Sequence, residues 1–293
     1  MAMFAILFGD AMSHVLDELW IRVSSVQDMQ AVTKYQLLVV LAALIVAALY
    51  IPLARKIATG EPVKGKLWNA LEGLLLYIRD EVVRPNIQDK HHHGEHGHDD
   101  HHHGEHHAIH NPHALADRYT PFLWTLFLFI LVCNLLGMIP FLGSPTASMS
   151  ITAVLAGIVF LVITTSALFK LGPIGYVKSF IPQLKADNAI MQVFLTVVIV
   201  PIVAVIEFAG SILRAGILAI RLFANMFGGH VALGVVFAFA IGVGGTINYG
   251  GGAAAILLGT ALSVLELFVA FLQAFVFTLL SSIFLGLQLN PEH

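Results

Sequence analysis

The sequence predicts an all-α polytopic membrane protein. Of its 293 residues 58% are hydrophobic and only 11% are charged, with a mean hydropathy of +0.84. A soluble domain carries about a quarter charged residues, so this chain cannot cover a water-facing surface of its size. Its apolar runs reach the ~20 residues that a helix needs to cross the hydrocarbon. The net charge of −3 implies no nucleic-acid partner. The single cysteine, Cys133, lies inside an apolar run and excludes a disulfide framework.

Residues 1–34 form a mixed N-terminal segment, in which Asp10 interrupts a very short apolar run, a poor match to a cleavable signal peptide. The first transmembrane helix is expected over 35–54, closed by Arg55 and Lys56. Over 66–84, Leu67, Leu71, Leu74, Leu75, Ile78 and Val82 recur at helical spacing opposite a charged face. That pattern predicts an amphipathic helix on the membrane surface, stopped by Pro85. A His-rich disordered insert follows at 90–113, with twelve of the fifteen histidines.

From 121 to 289 the chain is predominantly apolar. A second span is expected over Pro121–Leu142, a third over Ser148–Phe169, and a basic loop over Lys170–Asp187 with Gly172, Pro173 and Pro182. The remainder is broken only by the Gly-rich stretch Gly242–Gly252. As one helix, Ala189–Phe227 would extend about 58 Å, nearly twice the ~30 Å hydrocarbon. It either tilts strongly or breaks near Pro201 or Gly210, so hydropathy allows five spans or six to seven. Lys and Arg cluster in the connections after spans one and three, which puts those loops, and the C-terminus after an odd number of spans, inside. The N-terminal segment is then on the outer side.

After Asp187 the strongly ionisable residues ahead of the tail are Glu207, Arg214, Arg221, His230 and Glu266. A charge at membrane depth costs from about 2.5 to more than 10 kcal/mol, so it faces a protein interior or a hydrated cavity. Glu207, Arg214 and Arg221 are each seven apart, one slowly drifting helical stripe, with Asn225 one turn further. Glu266 and Gln273 repeat the interval in the last helix. A structural polar seam between two helices is the plain alternative to a pair of hydrated paths. Arg221 keeps its proton and can only be a fixed cation that favours a neighbouring carboxylate's charged form. His230 and Glu266 can exchange protons.

The strings IRLFANMFGGH at Ile220–His230 and LELFVAFLQAFVFTLL at Leu265–Leu280 resemble the signature of F-type ATP synthase subunit a. So do RDEVVRPNI at Arg79–Ile87, Asn134 in CNLLGMIP and PTAS at Pro145–Ser148. The resemblance covers residues 35–290 apart from the insert. It implies about five crossing helices plus the surface helix, the last two long and strongly tilted, and a four-helix proton-channel domain over 121–289. It also implies a non-catalytic stator subunit that passes protons through two offset half-channels to and from the carboxylates of a rotating c-ring. Its partners would be the c-ring proteolipids, the peripheral-stalk b subunits, the rest of the ATP synthase and membrane lipid, most simply in a bacterial inner membrane. The family's essential arginine maps onto Arg221, its neighbouring amide onto Asn225, and its last-helix glutamine onto Gln273. Its inner-path acid and basic position map onto Glu207 and Arg214, and its outer-path asparagine onto Asn134. Many bacterial members carry an acid at the position of His230 and a histidine at that of Glu266; here they are exchanged, as in mitochondrial members. Many also carry an aspartate where Gly137 stands.

No cofactor is implied, protons being the transported ion. The stretch His91–His107, including His91, His92, His93, His101, His102 and His103, has the composition to bind zinc, nickel or copper adventitiously. A divalent-cation transporter with a metal-sensing loop is the rival reading. It is opposed by the ligand supply at membrane depth, which is only His230 and two separated acids. A purely structural scaffold is a third reading, and it requires the charge stripes to tolerate neutral replacement.

Overall fold

The computed structural model describes residues 19–21, 32–59, 65–87, 114–139, 144–179, 199–244 and 249–290. The His-rich insert, with its candidate metal-binding histidines, lies outside the described residues. Six helices carry the described chain: α1 (Lys34–Thr59), α2 (Lys66–Tyr77), α3 (Ala114–Gly137), α4 (Met149–Ser179), α5 (Val200–Gly244) and α6 (Tyr249–Leu289). Ahead of them β1 (Leu19–Ile21) pairs antiparallel with β2 (Val32–Thr33). Five helices are long and apolar enough to cross a membrane; α2 is the exception. The all-α polytopic expectation therefore holds.

The question of span number is answered by continuity. α5 runs for 45 residues and α6 for 41, about 68 and 62 Å at 1.5 Å per residue. Pro201 falls in the first turn of α5, where a missing N–H costs nothing, and Gly210 leaves the helix unbroken. Helices twice the hydrocarbon thickness cross it only steeply inclined.

Three boundaries differ from expectation. α3 begins at Ala114 and carries Pro121 inside it, which forgoes its hydrogen bond to the Asp117 carbonyl without ending the helix. The expected loop after Phe169 is helical to Ser179, broken at Gly172 with φ 73° and ψ 166°. Only glycine adopts that conformation without strain, and Pro173 then restarts the helix. Pro85 does not stop the surface helix. α2 widens into a π-helical turn over Ile78–Val83, and Arg84–Asn86 continue it.

The chain divides into two compact units, Met1–Glu61 with Thr125–Ile158 and Arg214–Phe277, and Pro62–Trp124 with Val159–Leu213 and Thr278–His293. In the first, α1 buries Tyr35, Leu38, Ala42 and Val46 at helical spacing and exposes Leu37, Val40, Leu41 and Leu44. An all-round apolar helix with one buried face suits a lipid boundary. Met226 and Ala270 pack with Ala147 of the 3-10 turn Pro145–Ala147, and Phe127 meets Phe271 edge to face at 5.8 Å.

In the second unit the end of the surface segment is held tightly. Ile78, Val82, Val83 and Ile87 are fully buried. The Val82 carbonyl accepts from Asn86 Nδ2 at 2.7 Å and from Ser282 Oγ at 3.0 Å. Gly286 is packed so closely on the Asn86 carbonyl that a side chain there would overlap it. Arg84 forks onto Asp117 at 3.0 and 3.1 Å, and this hydrogen-bonded carboxylate raises the guanidinium's already high basicity. The earlier helix α2 buries none of its residues fully; Leu71, Leu74 and Leu75 are half-buried and Leu67 is exposed.

Burial separates the spanning helices by role. In the apolar stretch of α3 67% of the residues are buried against 17% in that of α5, so α3 is the more enclosed of the two.

Candidate functional site

The first unit assembles the titratable pair. His230 on α5 lies with Nδ1 3.4 Å from Glu266 Oε1 on α6. Its Nδ1 is also 2.8 Å from the Met226 carbonyl and its Nε2 is 3.0 Å from the Gly137 carbonyl. Carbonyl oxygens only accept, so a neutral ring satisfies one of them and an imidazolium both. The carboxylate sits beside the same nitrogen without an aligned hydrogen bond, since Nδ1 points to Met226; Oε1 has no hydrogen-bond partner. An acid and a base this close, enclosed on most sides, can pass one proton between them once Nδ1 turns from the Met226 carbonyl to the carboxylate.

Small residues make this approach possible. A Cβ on Gly229 would stand 2.7 Å from Glu266 Oε1, so only glycine lets the carboxylate lie against α5. A cavity of about 310 Å³ adjoins the pair, lined by Asn225, Gly228, Gly229, Leu262, Leu265 and Glu266 among others. That volume has room for several waters, with Asn225 and Glu266 as the polar side chains that could hold them.

Behind the pair runs a buried polar chain. Thr146 Oγ1 donates to Asn134 Oδ1 at 2.8 Å, Ser144 and Thr146 hydroxyls are 2.7 Å apart, and Asn134 Nδ2 donates to the Ala270 carbonyl at 3.2 Å. Asn134 is fully buried, with both ends of its amide engaged. Gln273, two turns beyond Glu266, is buried with Nε2 unpartnered.

Arg221 has different surroundings. It is exposed on α5 beside Ala224 and Gly228, in line with the exposed Leu213, Ile217 and Ile220. It has no hydrogen-bond or ion-pair partner among the described residues. Arg214 is half-buried on the same helix in the same unit. Glu207, also half-buried on α5, belongs to the other unit; there Ser211 Oγ donates to the Glu207 carbonyl at 3.2 Å and accepts from Gln288 Nε2 at 3.2 Å.

A model of the family described as ATP synthase A chain matches residues 106–286. ATP synthase subunit a of Maricaulis maris is 36% identical over 186 residues, 60% of this chain and 68% of that protein. The chain belongs to the ATP synthase subunit a family. Further relatives of that name come from Anaeromyxobacter dehalogenans, 34% identical over 75% of this chain and 48% of theirs, and Chloroherpeton thalassium, 31% identical over 81% and 60%. The alignments thus span from about half to two thirds of the relatives' own length.

Of the residues singled out in the sequence, His230, Glu266, Asn225 and Asn134 come together around the cavity and its polar backing. Sequence reasoning missed Ser144, Thr146, Gly229 and Gln288. Thr146 lies in the string PTAS, which by itself assigns it no role. Gly137, read as a missing acid, instead contributes its carbonyl to His230, and a side chain there would overlap Ser144. Among the described residues no three His, Cys, Asp or Glu side chains gather as metal ligands would.

Proposed function

We propose that this chain is the stator subunit that passes protons through two offset half-channels to and from the carboxylates of a rotating c-ring, coupling proton-motive force to ATP synthesis. Family membership makes it a non-catalytic, proton-translocating membrane-sector component of an F-type ATP synthase; the route, the ring and the orientation are our reading.

One observation carries it. Arg221 is a permanent cation exposed on a membrane-crossing helix among the exposed apolar side chains of Leu213, Ile217 and Ile220. Facing lipid, it would cost several kcal/mol or more. Facing a neighbouring subunit's carboxylate, it neutralises that acid's burial and drives off its proton. The proteolipid ring supplies such a carboxylate.

Protons enter from the outer side through a half-channel lined by Asn225, His230, Glu266, Gln273 and Asn134 and neutralise a ring carboxylate, which then enters lipid cheaply. After nearly a full turn that carboxylate releases its proton toward the inner path near Glu207 and Arg214. Arg221 stands between the paths and prevents a short circuit. A membrane potential supplies ~2.3 kcal/mol per charge per 100 mV, so several protons drive each ATP. Peripheral-stalk b subunits hold this chain still while the ring turns. The N-terminus lies outside and the C-terminus inside, in an energy-coupling membrane.

Arg221→Ala tests the proposal: the complex assembles and proton-driven ATP synthesis is abolished. Full coupled synthesis in that variant refutes it.

A further inference from the structure

We propose that Ser144 is a positioning residue for proton transfer at His230, holding the end of α3 so that the Gly137 carbonyl stays seated on His230 Nε2. The inference rests on the reading of His230 as a proton carrier and adds to it a residue that touches neither the proton nor the ring.

A helix leaves its last four carbonyls without intrahelical donors. At the end of α3 two of them are satisfied by the chain itself, through Met138 N–H to the Leu135 carbonyl at 3.1 Å and Ile139 N–H to the Leu136 carbonyl at 3.2 Å. The Gly137 carbonyl is left for His230 Nε2, at 3.0 Å. It is also the outermost point of the helix's negative end, which favours a cationic partner.

Ser144 fixes where that carbonyl points. It is 1% exposed, and its side chain is packed directly on Gly137, leaving no room for a Cβ there; the position such a Cβ would take is 2.8 Å from Ser144 Oγ and 3.0 Å from its Cα. The hydroxyl is held in turn. Thr146 spends its one hydrogen on Asn134 Oδ1 at 2.8 Å, so Ser144 donates to Thr146 at 2.7 Å. The contact of Ser144 Oγ with the Cys133 carbonyl, at 3.4 Å, is then a long one. Through Asn134 Nδ2 the chain of bonds ends on the Ala270 carbonyl of α6, one turn beyond Glu266. Both members of the proton-transfer pair are therefore referenced to one buried strut, His230 through Gly137 and Glu266 through its own helix. The strut runs in one direction and passes through an amide, so it sets distance and does not carry protons.

The titratable group facing His230 is Glu266 from α6; α3 and the 3-10 turn present carbonyl, hydroxyl, amide and the Cys133 thiol, and Arg221 lies nine residues back on α5 itself. The test measures passive proton conduction per assembled complex in membrane vesicles, across pH. Ser144→Ala lowers conduction about tenfold, short of the ~hundredfold that a full 1 Å misplacement can cost, and moves the midpoint of its pH dependence. Gly137→Ala causes a larger loss, on the order of a hundredfold, and adding Ser144→Gly returns it toward the level of Ser144→Ala, because the Cβ is moved from one side of the contact to the other while the hydroxyl stays absent. If His230→Gln conducts at the wild-type rate, the reading of His230 itself fails. If His230→Gln is impaired but Ser144→Ala keeps the wild-type rate and midpoint, or Gly137→Ala gains nothing from Ser144→Gly, the role of Ser144 is overturned.

Discussion

Replacing Gly229 by alanine places a methyl group 2.7 Å from Glu266 Oε1 and 3.2 Å from its Cδ, where ordinary contact begins near 3.4 Å. The atom in the way is the end of a flexible side chain, so the fold accommodates the change by moving the carboxylate. A retreat of about 0.7 Å lengthens the separation from His230 Nδ1 from 3.4 Å to about 4.1 Å. At an effective dielectric constant of about 20, the attraction between the charged forms falls from about 4.9 to about 4.0 kcal/mol. A loss of about 0.8 kcal/mol is about fourfold in the population of the charged pair. Proton conduction through vesicles bearing the assembled complex is therefore expected to fall by about that factor at unchanged complex content. Gly157→Ala is the control, because nothing stands within 4 Å of a Cβ there. Wild-type conduction in Gly229→Ala, or an equal loss in Gly157→Ala, would refute the reasoning.

Two further outcomes follow from the same geometry. Gly286→Val drives a branched side chain into the Asn86 carbonyl, a backbone atom held among buried Val82, Val83 and Ile87; it should cost about 1–3 kcal/mol, read as a lower thermal-inactivation temperature of the complex, and unchanged inactivation would show that the contact is not tight. Glu266→Gln keeps the shape of the pair and removes its acid, so coupled ATP synthesis should slow by about a hundredfold, the lower range for a lost proton-transfer group. An unchanged rate at every pH would take Glu266 out of the relay.

How much of this was legible in the sequence differs between residue types. Five spans and a surface helix follow from hydropathy and the family likeness, since apolar length is a local property. Charged residues at membrane depth are equally conspicuous, because each is costly and demands a reason. Pro121 and Pro85 misled for one cause: a proline's damage depends on whether the opposing carbonyl has another donor or a turn can widen, and sequence does not show either. Ser144, Thr146 and Gly229 carry no charge and have no periodicity of their own. Their meaning comes from segments far apart in the chain, as when Asn134 reaches Ala270, 136 residues on. Gly137 is instructive in the opposite direction. Seen as an absent acid it is a loss, but in three dimensions its missing side chain is what admits Ser144, beside a helix-end carbonyl that meets His230.

Coupling to a ring requires that the ring cover the exposed apolar side chains of α5 around Arg221. A structure of the assembled membrane sector measures this directly. The guanidinium is expected within about 4 Å of a proteolipid carboxylate or of the water between them, with Leu213, Ile217 and Ile220 packed on the ring. Arg221 found against lipid, or paired with an acid of a subunit that does not rotate, would contradict the account.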